Sequence, residues 1–363
     1  MDMTFNIPLD YNFATNVNPL GPPDWVSKQL STEFTQLTYY NELWHQKLDA
    51  LLTSHWQLKK GKMLATTGSS ELIFQLPYLL NCLHGPWLVL DPTFWEYALL
   101  AKTHAIPYES FKIVNANGIM PPEFNINELL NFAKKLQPEV MFICSPNNPT
   151  GHLIRRQDIY KIAEELPNTW IIVDQTYAYF LENWLEERLP QDCSPENIIS
   201  ITSFSKFFCL PGLRICAVGC ASFKRMTLLH NLLGPIRVNG IAANLLPNLL
   251  ADQVYHLNTR GHFKLGWSKF LKQLQSTFLH PLSSEAIFRL FEVGSKSCLP
   301  HSEIDRGDQL ADRLIKEYGI RICSGTTYGL KNQVRIRLGT ANANQILISA
   351  LENIGHASSA SGC

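Results

Sequence analysis

Short apolar runs alternate with longer amphipathic ones through the first two thirds of the chain. WLVLD (Trp87 to Asp91), VMFICS (Val140 to Ser145), WIIVD (Trp170 to Asp174), IISITSFS (Ile198 to Ser205) and RICAVGC (Arg214 to Cys220) read as buried strands. Ser70 to Cys82, Trp95 to His104, Ile126 to Leu136, Arg156 to Leu166 and Ser222 to Leu233 read as helices. This alternation predicts an α/β domain, a largely parallel sheet with helices on both faces. In such sheets ligands bind beyond the carboxyl ends of the strands. The polar residues Asp91, Asn147, Asn148, Asp174 and Ser203 to Lys206 all fall at those ends. From about Asn239 the pattern turns helical through Phe278. A smaller α+β segment follows: AIFRLFEV, a helix near Arg306 to Tyr318, IRIC, VRIRLG and a closing helix from Ala343 to Ile354.

The chain has 363 residues and is 45% hydrophobic, enough for about two domains with large cores. Its 31 basic and 31 acidic residues cancel, so charge gives no reason to expect nucleic acid or an anionic membrane surface. No apolar run approaches the roughly 18 residues of a membrane span. The start, MDMTFNIPLDYNF, lacks the charged and apolar regions of a signal peptide, which predicts a cytoplasmic protein. The nine cysteines are irregularly spaced without C-x-x-C and read as small buried hydrophobes, and no His or Cys cluster predicts a metal.

Lys206 stands in SFSKFFCLPGLR, between hydroxyls and phenylalanines. A free lysine amine has a pKa of about 10.4 and is a poor nucleophile at neutral pH. Desolvation and nearby cations lower that value and make the amine able to attack a carbonyl. Asp174 ends an apolar strand, and a buried carboxylate calls for a cationic partner such as a protonated pyridine nitrogen. GSSELIF puts Gly68, Ser69 and Ser70 at a helix start, where free N–H groups cap the helix or hold a phosphate. SPNNPTG, Ser145 to Gly151, is a Pro/Asn turn after a strand. Together these parts fit one ligand, pyridoxal 5′-phosphate (PLP), which needs a lysine, a carboxylate at its ring nitrogen and an anion cradle.

The ordered set GSSE, DPTFWEY, SPNNPTG, VDQTY, SFSK-x7-R and RIRLG resembles the fold-type I aminotransferase superfamily from about Asn12 to Leu351. Within it the similarity is strongest to histidinol-phosphate aminotransferases and to the threonine-phosphate decarboxylase of cobalamin synthesis. The resemblance implies an N-terminal arm over the site (1–30), a large PLP-binding domain (31–250), a small α+β domain (251–355) and a flexible tail (356–363). It implies that Lys206 is the Schiff-base lysine, with Gly68, Ser69, Ser70, Ser203, Ser205 and Arg214 around the phosphate. Asp174 would pair with the ring nitrogen, Tyr177 and Asn148 with O3′, and Phe94 would stack on the ring, while Trp95 and Tyr97 only pack. Tyr40 matches a tyrosine lent to the neighbouring subunit, which implies a homodimer with shared sites. Arg335 matches the arginine that takes the substrate carboxylate by a bidentate pair. Asn16 and Asn18 lie in the arm, with Asn18 toward substrate.

The pattern also departs from those relatives. Gln175 and Thr176 replace their usual Glu and Ala, and Cys323 stands where an arginine is usual. The decarboxylase's His-Gly-Gly segment does not occur. Arg237 replaces a small or uncharged residue and is expected to contact a substrate side chain. Arg337 lies two residues from Arg335, so on a strand both face one side and it too is a substrate candidate. The expected activity is transamination of an amino acid or amino-alcohol phosphate. Decarboxylation, and elimination, replacement or cyclisation on a side chain, remain open because binding geometry decides which Cα bond breaks. No G-x-G-x-x-G follows a strand, which disfavours a nicotinamide enzyme.

Overall fold

The computed structural model describes residues 8–32, 43–115, 117–119, 124–234, 236–294 and 304–356. Tyr40 lies outside them, as do residues 1–7 of the arm and 357–363 of the tail.

Seven strands form one sheet in the order β1-β7-β6-β5-β4-β2-β3. They are β1 (Lys62–Thr66), β2 (Trp87–Asp91), β3 (Tyr108–Lys112), β4 (Val140–Cys144), β5 (Trp170–Asp174), β6 (Ile198–Ser203) and β7 (Cys216–Cys220). From β3 to β6 the neighbours are parallel, and β7 and β1 pair antiparallel. The central strands are buried on both faces, which is why they read as unbroken apolar runs. β1 and β3, absent from the sequence reading, are the two edge strands. β3 (YESFK) is mostly exposed or half-exposed and offers no apolar run.

The helices are α1 (Trp25–Thr32), α2 (Leu43–His55), α3 (Ser69–Leu79), α4 (Glu96–Thr103), α5 (Ile126–Leu136), α6 (Arg156–Glu165), α7 (Trp184–Glu187), α8 (Phe204–Phe207), α9 (Phe223–Leu233), α10 (Gly240–Ala251), α11 (Gln253–Leu274), α12 (Arg306–Tyr318) and α13 (Ala341–His356). Strand parity sorts the core. Val89, Phe142, Ile172 and Ile201 pack with Leu72, Leu76, Leu100 and Leu229 from α3, α4 and α9. Leu90, Met141, Ile143 and Val173 point the other way, onto Leu129, Leu130, Ile159 and Ile162 from α5 and α6. Asp174 shares the parity of Ile172, so its side chain faces the α3–α4 layer. A second, antiparallel sheet has the order β10-β11-β9-β8, with β8 (Leu279–Pro281), β9 (Phe288–Val293), β10 (Cys323–Ser324) and β11 (Gln333–Arg337). The domain boundary expected at 250 falls at the end of α10. Among the described residues no helix is long and apolar enough to cross a membrane.

The free edge of β1 is closed by side chains. Asp49 Oδ1 accepts from Ala65 N–H at 2.8 Å, and Arg237 Nε donates to Ala65 C=O at 3.0 Å. Two residues earlier, Met63 N–H donates to Thr53 Oγ1 at 3.1 Å. Alternate residues of an edge strand point their backbone groups outward and need partners when buried. Residues 49 and 53, one turn apart on α2, meet that spacing.

Candidate functional site

The parallel strands β2, β4, β5 and β6 bring their carboxyl ends to one side of the sheet. Just beyond β6 comes the single turn α8. Phe204, Phe207 and Phe208 are buried in an aromatic cluster with Tyr179, Tyr255 and His256. Their burial fixes the turn and leaves Lys206 on the remaining side. Lys206 forms no ion pair or hydrogen bond through its amine among the described residues. Its pKa is lowered by burial first, then by the guanidinium groups of Arg214 and Arg335, against the opposing pull of Glu96 and Asp174.

An anion cradle lies beside it. α3 begins at Ser69 with no side-chain cap, so its first N–H groups stay open to a ligand. Gly68 has φ +61°, and a Cβ there would sit 2.3 Å from Arg214 Nη2. Only glycine lets the guanidinium lie against the helix start. Ser203 and Ser205 are buried, and Ser205 Oγ has no partner among the described residues. Ser70 Oγ donates to Glu96 Oε1 at 3.0 Å, so Ser70 has its backbone N–H rather than its hydroxyl to offer an anion.

Asp174 is buried and its pKa is raised, chiefly by desolvation. Its Oδ1 accepts from Thr176 N–H at 2.9 Å and Thr176 Oγ1 at 2.6 Å, and its Oδ2 from Tyr97 O–H at 2.9 Å. Tyr97 therefore does more than pack: it stacks on Phe142 at 4.9 Å and holds the carboxylate. Trp95 is 47% exposed and meets Phe94 edge-on at 6.0 Å. Phe94 is partly buried, edge-on to Tyr97 at 5.7 Å. Thr176 thus has a role at the site, whereas Gln175 bridges Glu187 C=O and Leu189 N–H and supports the loop behind it.

Asn148, Tyr177 and Arg335 meet from three elements. Arg335 Nη1 donates to Asn148 Oδ1 and, at 2.7 Å, to Tyr328 O–H; Nη2 donates to Ala14 C=O at 2.6 Å. Tyr177 O–H accepts from Asn16 Nδ2 at 3.2 Å. The sequence reading missed Tyr328 and Glu96. Tyr328 sits in a turn, GTTYGL, that carries no signal beyond its proximity to VRIR. Glu96 carried one: a carboxylate at a helix start, two residues after the candidate ring-stacking Phe94.

Three substrate candidates have polar groups engaged within the chain. Arg237 is buried against Asp49, Nη2 to Oδ2 at 2.6 Å, and also donates to the Ala65 and Gly234 carbonyls. Its guanidinium is bonded into the β1 edge. Arg337 is fully buried and donates to Leu338 C=O at 2.6 Å and Asn12 C=O at 2.9 Å, with Phe13 under its plane. It does share the side of Arg335, but it holds the arm. Asn18 is fully buried, and its amide donates to Phe207 C=O, Tyr255 O–H and Thr259 Oγ1. It ties the arm to the α8 turn, and Asn18 N–H bonds Lys206 C=O at 2.9 Å. Asn16 is the arm residue that reaches Tyr177. Asp91, also expected at the strand ends, pairs with exposed Lys112.

Among the described residues no three His, Cys, Asp or Glu side chains gather as metal ligands. Cys82, Cys144, Cys216 and Cys220 are buried, Cys209 and Cys323 half-buried, and Cys193 exposed.

Comparison with known proteins matches residues 10–351 to the family described as aminotransferase class I and II. The adenosylcobalamin biosynthesis bifunctional protein CobDQ of Leptospira interrogans is 28% identical over 94% of this chain, which spans only 38% of that protein's length. Histidinol-phosphate aminotransferase 2 of Legionella pneumophila (strain Paris) is 26% identical, over 94% of this chain and 88% of its own. The crystal structure of histidinol-phosphate aminotransferase from Sinorhizobium meliloti in complex with pyridoxal-5′-phosphate superposes with a TM-score of 0.81 at 18% identity, over 96% of this chain and 91% of that one.

Proposed function

We infer the activity from one premise: the chain belongs to the aminotransferase class I and II family. It is a PLP-dependent enzyme with the fold-type I architecture. We read it as an aminotransferase acting on an amino acid or an amino-alcohol phosphate. The observation that carries this reading is Lys206: an amine desolvated and held beside two guanidinium groups, without an acid bonded to it.

The residues present fit PLP. Gly68 lets the Arg214 guanidinium lie against the start of α3, where a Cβ would collide with it, and Ser205 Oγ is a buried donor in want of an acceptor. Asp174 is a buried carboxylate whose own neighbours are neutral hydroxyls and an N–H, so a protonated ring nitrogen would supply its missing cation. Arg214, Ser203, Ser205 and the N–H groups of Ser69 and Ser70 would hold the phosphate. Tyr177 and Asn148 would hold O3′, and Phe94 would cover the ring. When bound, PLP supplies an aldehyde for amine capture and a ring that withdraws electrons.

The protein's own part follows from protonation and position. Lys206 Nζ, its pKa lowered by burial and two neighbouring cations, would take the proton from the substrate's Cα and hold it for return. Arg335 fixes the substrate's anionic group and so orients the bond to be broken. The arm, fastened by Arg337 and Asn18, shields the site from water on the Asn16 side. The reading includes a homodimer in which Tyr40 completes the neighbouring subunit's phosphate site. Phe223, Leu228, Leu232 and Ile236, each at least half exposed, supply apolar surface for such an interface.

The test is spectroscopic. Holoenzyme mixed with amino compounds and no keto acid should convert its visible cofactor band completely, with release of one keto product and no carbon dioxide. Lys206→Ala should lack the wild-type band. Carbon dioxide release in place of a keto product would replace this reading with decarboxylation.

A further inference from the structure

We propose that Glu96 belongs to the cofactor's phosphate site: its protonated carboxyl admits the phosphate, and its ionised form repels it. This rests on the phosphate placement given above, at Arg214 and the start of α3.

Two consecutive residues of α4 reach two parts of the site. Tyr97 O–H donates to Asp174 Oδ2 at 2.9 Å, and Glu96 Oε1 accepts from Ser70 Oγ at 3.0 Å. Ser70 is the second residue of α3, whose first N–H groups carry no side-chain cap and are open to the phosphate. The carboxyl thus stands one side chain away from the anion. Its Oε2 is buried and has no partner among the described residues, which leaves the Ser70 hydroxyl as the donor serving the group. An ionised carboxylate has about four lone-pair sites to satisfy, so one hydroxyl serves it poorly.

An acid at a helix start can be there for the helix alone. What sets Glu96 apart is the charge around it. Asp174 at the end of β5, Lys206 in α8 and Arg214 ahead of β7 all act on it. Glu71, the other acid at this corner, is exposed and bonded to Gln75. Burial foremost raises the Glu96 pKa and Asp174 adds to it, while the Ser70 bond, Lys206 and Arg214 pull the other way. A bound phosphate brings nearly two further negative charges, about −1.5 to −2 at neutral pH. Like charges disfavour each other's ionised form, so binding raises this pKa again and takes up a proton. By reciprocity, affinity is greatest below the pKa of Glu96 in the free protein, which already lies above the usual carboxylate value, and falls as pH rises past it.

The experiment titrates the full chain, freed of PLP by dialysis, with 4-deoxypyridoxine 5′-phosphate. That compound lacks the aldehyde and so leaves the Lys206 amine out of any bond. Ligand fluorescence gives dissociation constants from about pH 5.5 to 8.5 for wild type, Glu96→Gln and Glu96→Met. Wild type should match the uncharged variants at the acid end and bind at least about tenfold more weakly than they do at the alkaline end. Either variant suffices should the other fail to fold. Phosphate-free 4-deoxypyridoxine should show no such divergence. A wild-type to variant ratio constant over the range overturns the proposal and is what a carboxyl serving only the helix would give. Equal divergence with the phosphate-free compound overturns it too, by assigning the effect to the ring. Arg214→Gln tests the placement separately and should weaken the phosphorylated compound at least about tenfold at every pH. Undiminished affinity in that variant refutes the placement and the proposal with it, whereas weakened affinity beside a constant wild-type to Glu96→Gln ratio refutes the part of Glu96 alone.

Discussion

Removing Arg237 should unfold the edge of the large sheet before it affects chemistry. Arg237 and Asp49 are 2% and 4% exposed and 2.6 Å apart. Arg237→Met keeps the volume but leaves the Asp49 carboxylate buried with Ala65 N–H as its remaining bond, and strands the Ala65 and Gly234 carbonyls. Breaking one side of a buried pair costs about 3–5 kcal/mol, most of it the uncompensated charge. For a domain of roughly 150–250 residues each kcal/mol lowers Tm by about 2–4 °C, so a drop on the order of 10 °C is expected. Asp49→Leu should cost a similar amount, and the double variant much less than the sum of the two. The assay is a double-mutant cycle by thermal unfolding of apoenzyme and holoenzyme, with steady-state kinetics alongside. Since Thr67 O–H bonds Arg237 C=O at 2.6 Å next to the Gly68 cradle, weaker PLP retention should accompany the lost stability. An Arg237→Met protein with wild-type Tm and PLP affinity but a raised KM would refute the structural role and return Arg237 to the substrate.

Gly68→Ala should weaken PLP binding at least about tenfold, because the new Cβ meets Arg214 and φ +61° is strained for alanine; equilibrium dialysis against PLP measures it. Thr176→Val removes an O–H bond to Asp174 and should raise that carboxyl's pKa further, read as a shifted pH titration of the holoenzyme spectrum; an unchanged titration would detach Thr176 from the ring nitrogen. His55 is half-buried and His256 buried, and desolvation lowers both pKa values to about 4. The unfolded chain then binds more protons between about pH 4 and 6.5, so stability present above 6.5 should fall through that window as the solution is acidified. In His55→Gln the slope of unfolding free energy against pH should flatten there, and an unchanged slope would refute the assignment.

The strands at the centre of the large sheet were legible because both faces are buried, and a run such as VMFIC needs no partner to be recognised. β1 and β3 were not: KMLAT is buried from Met63 to Thr66 but its apolar run is only three residues long, and YESFK is mostly exposed or half-exposed with no apolar run. The same distinction governs the site. Lys206, Asp174, Arg214 and Gly68 stand in local patterns whose chemistry is unusual in itself: an amine among phenylalanines, a carboxylate ending an apolar strand, a glycine before two serines. Asn16 meets Tyr177, 161 residues away in sequence, and Tyr328 meets Asn148, 180 residues away, besides Arg335 seven residues on, and no local pattern encodes the long-range meetings.

The arginines carry the argument one step further. Arg237, Arg335 and Arg337 are alike in the sequence, each an isolated cation in an apolar stretch, and all three are buried. What separates them is where their donors go. Arg237 faces an aspartate and two carbonyls, and Arg337 faces the carbonyls of Leu338 and Asn12 with the Asp10 carboxylate acting on it from the arm. Arg335 is held by neutral acceptors alone, from Asn148, Tyr328 and Ala14, so its charge is left without an anion. A protein tolerates a buried cation of that kind where a ligand brings the missing charge. Three neutral bonds hold the guanidinium plane in place beforehand, so the substrate meets a fixed fork and little ordering remains to be done on binding. The residue proposed to recognise substrate is thus distinguished by its incomplete charge balance, which the sequence does not contain and the packing of β11 against the arm creates.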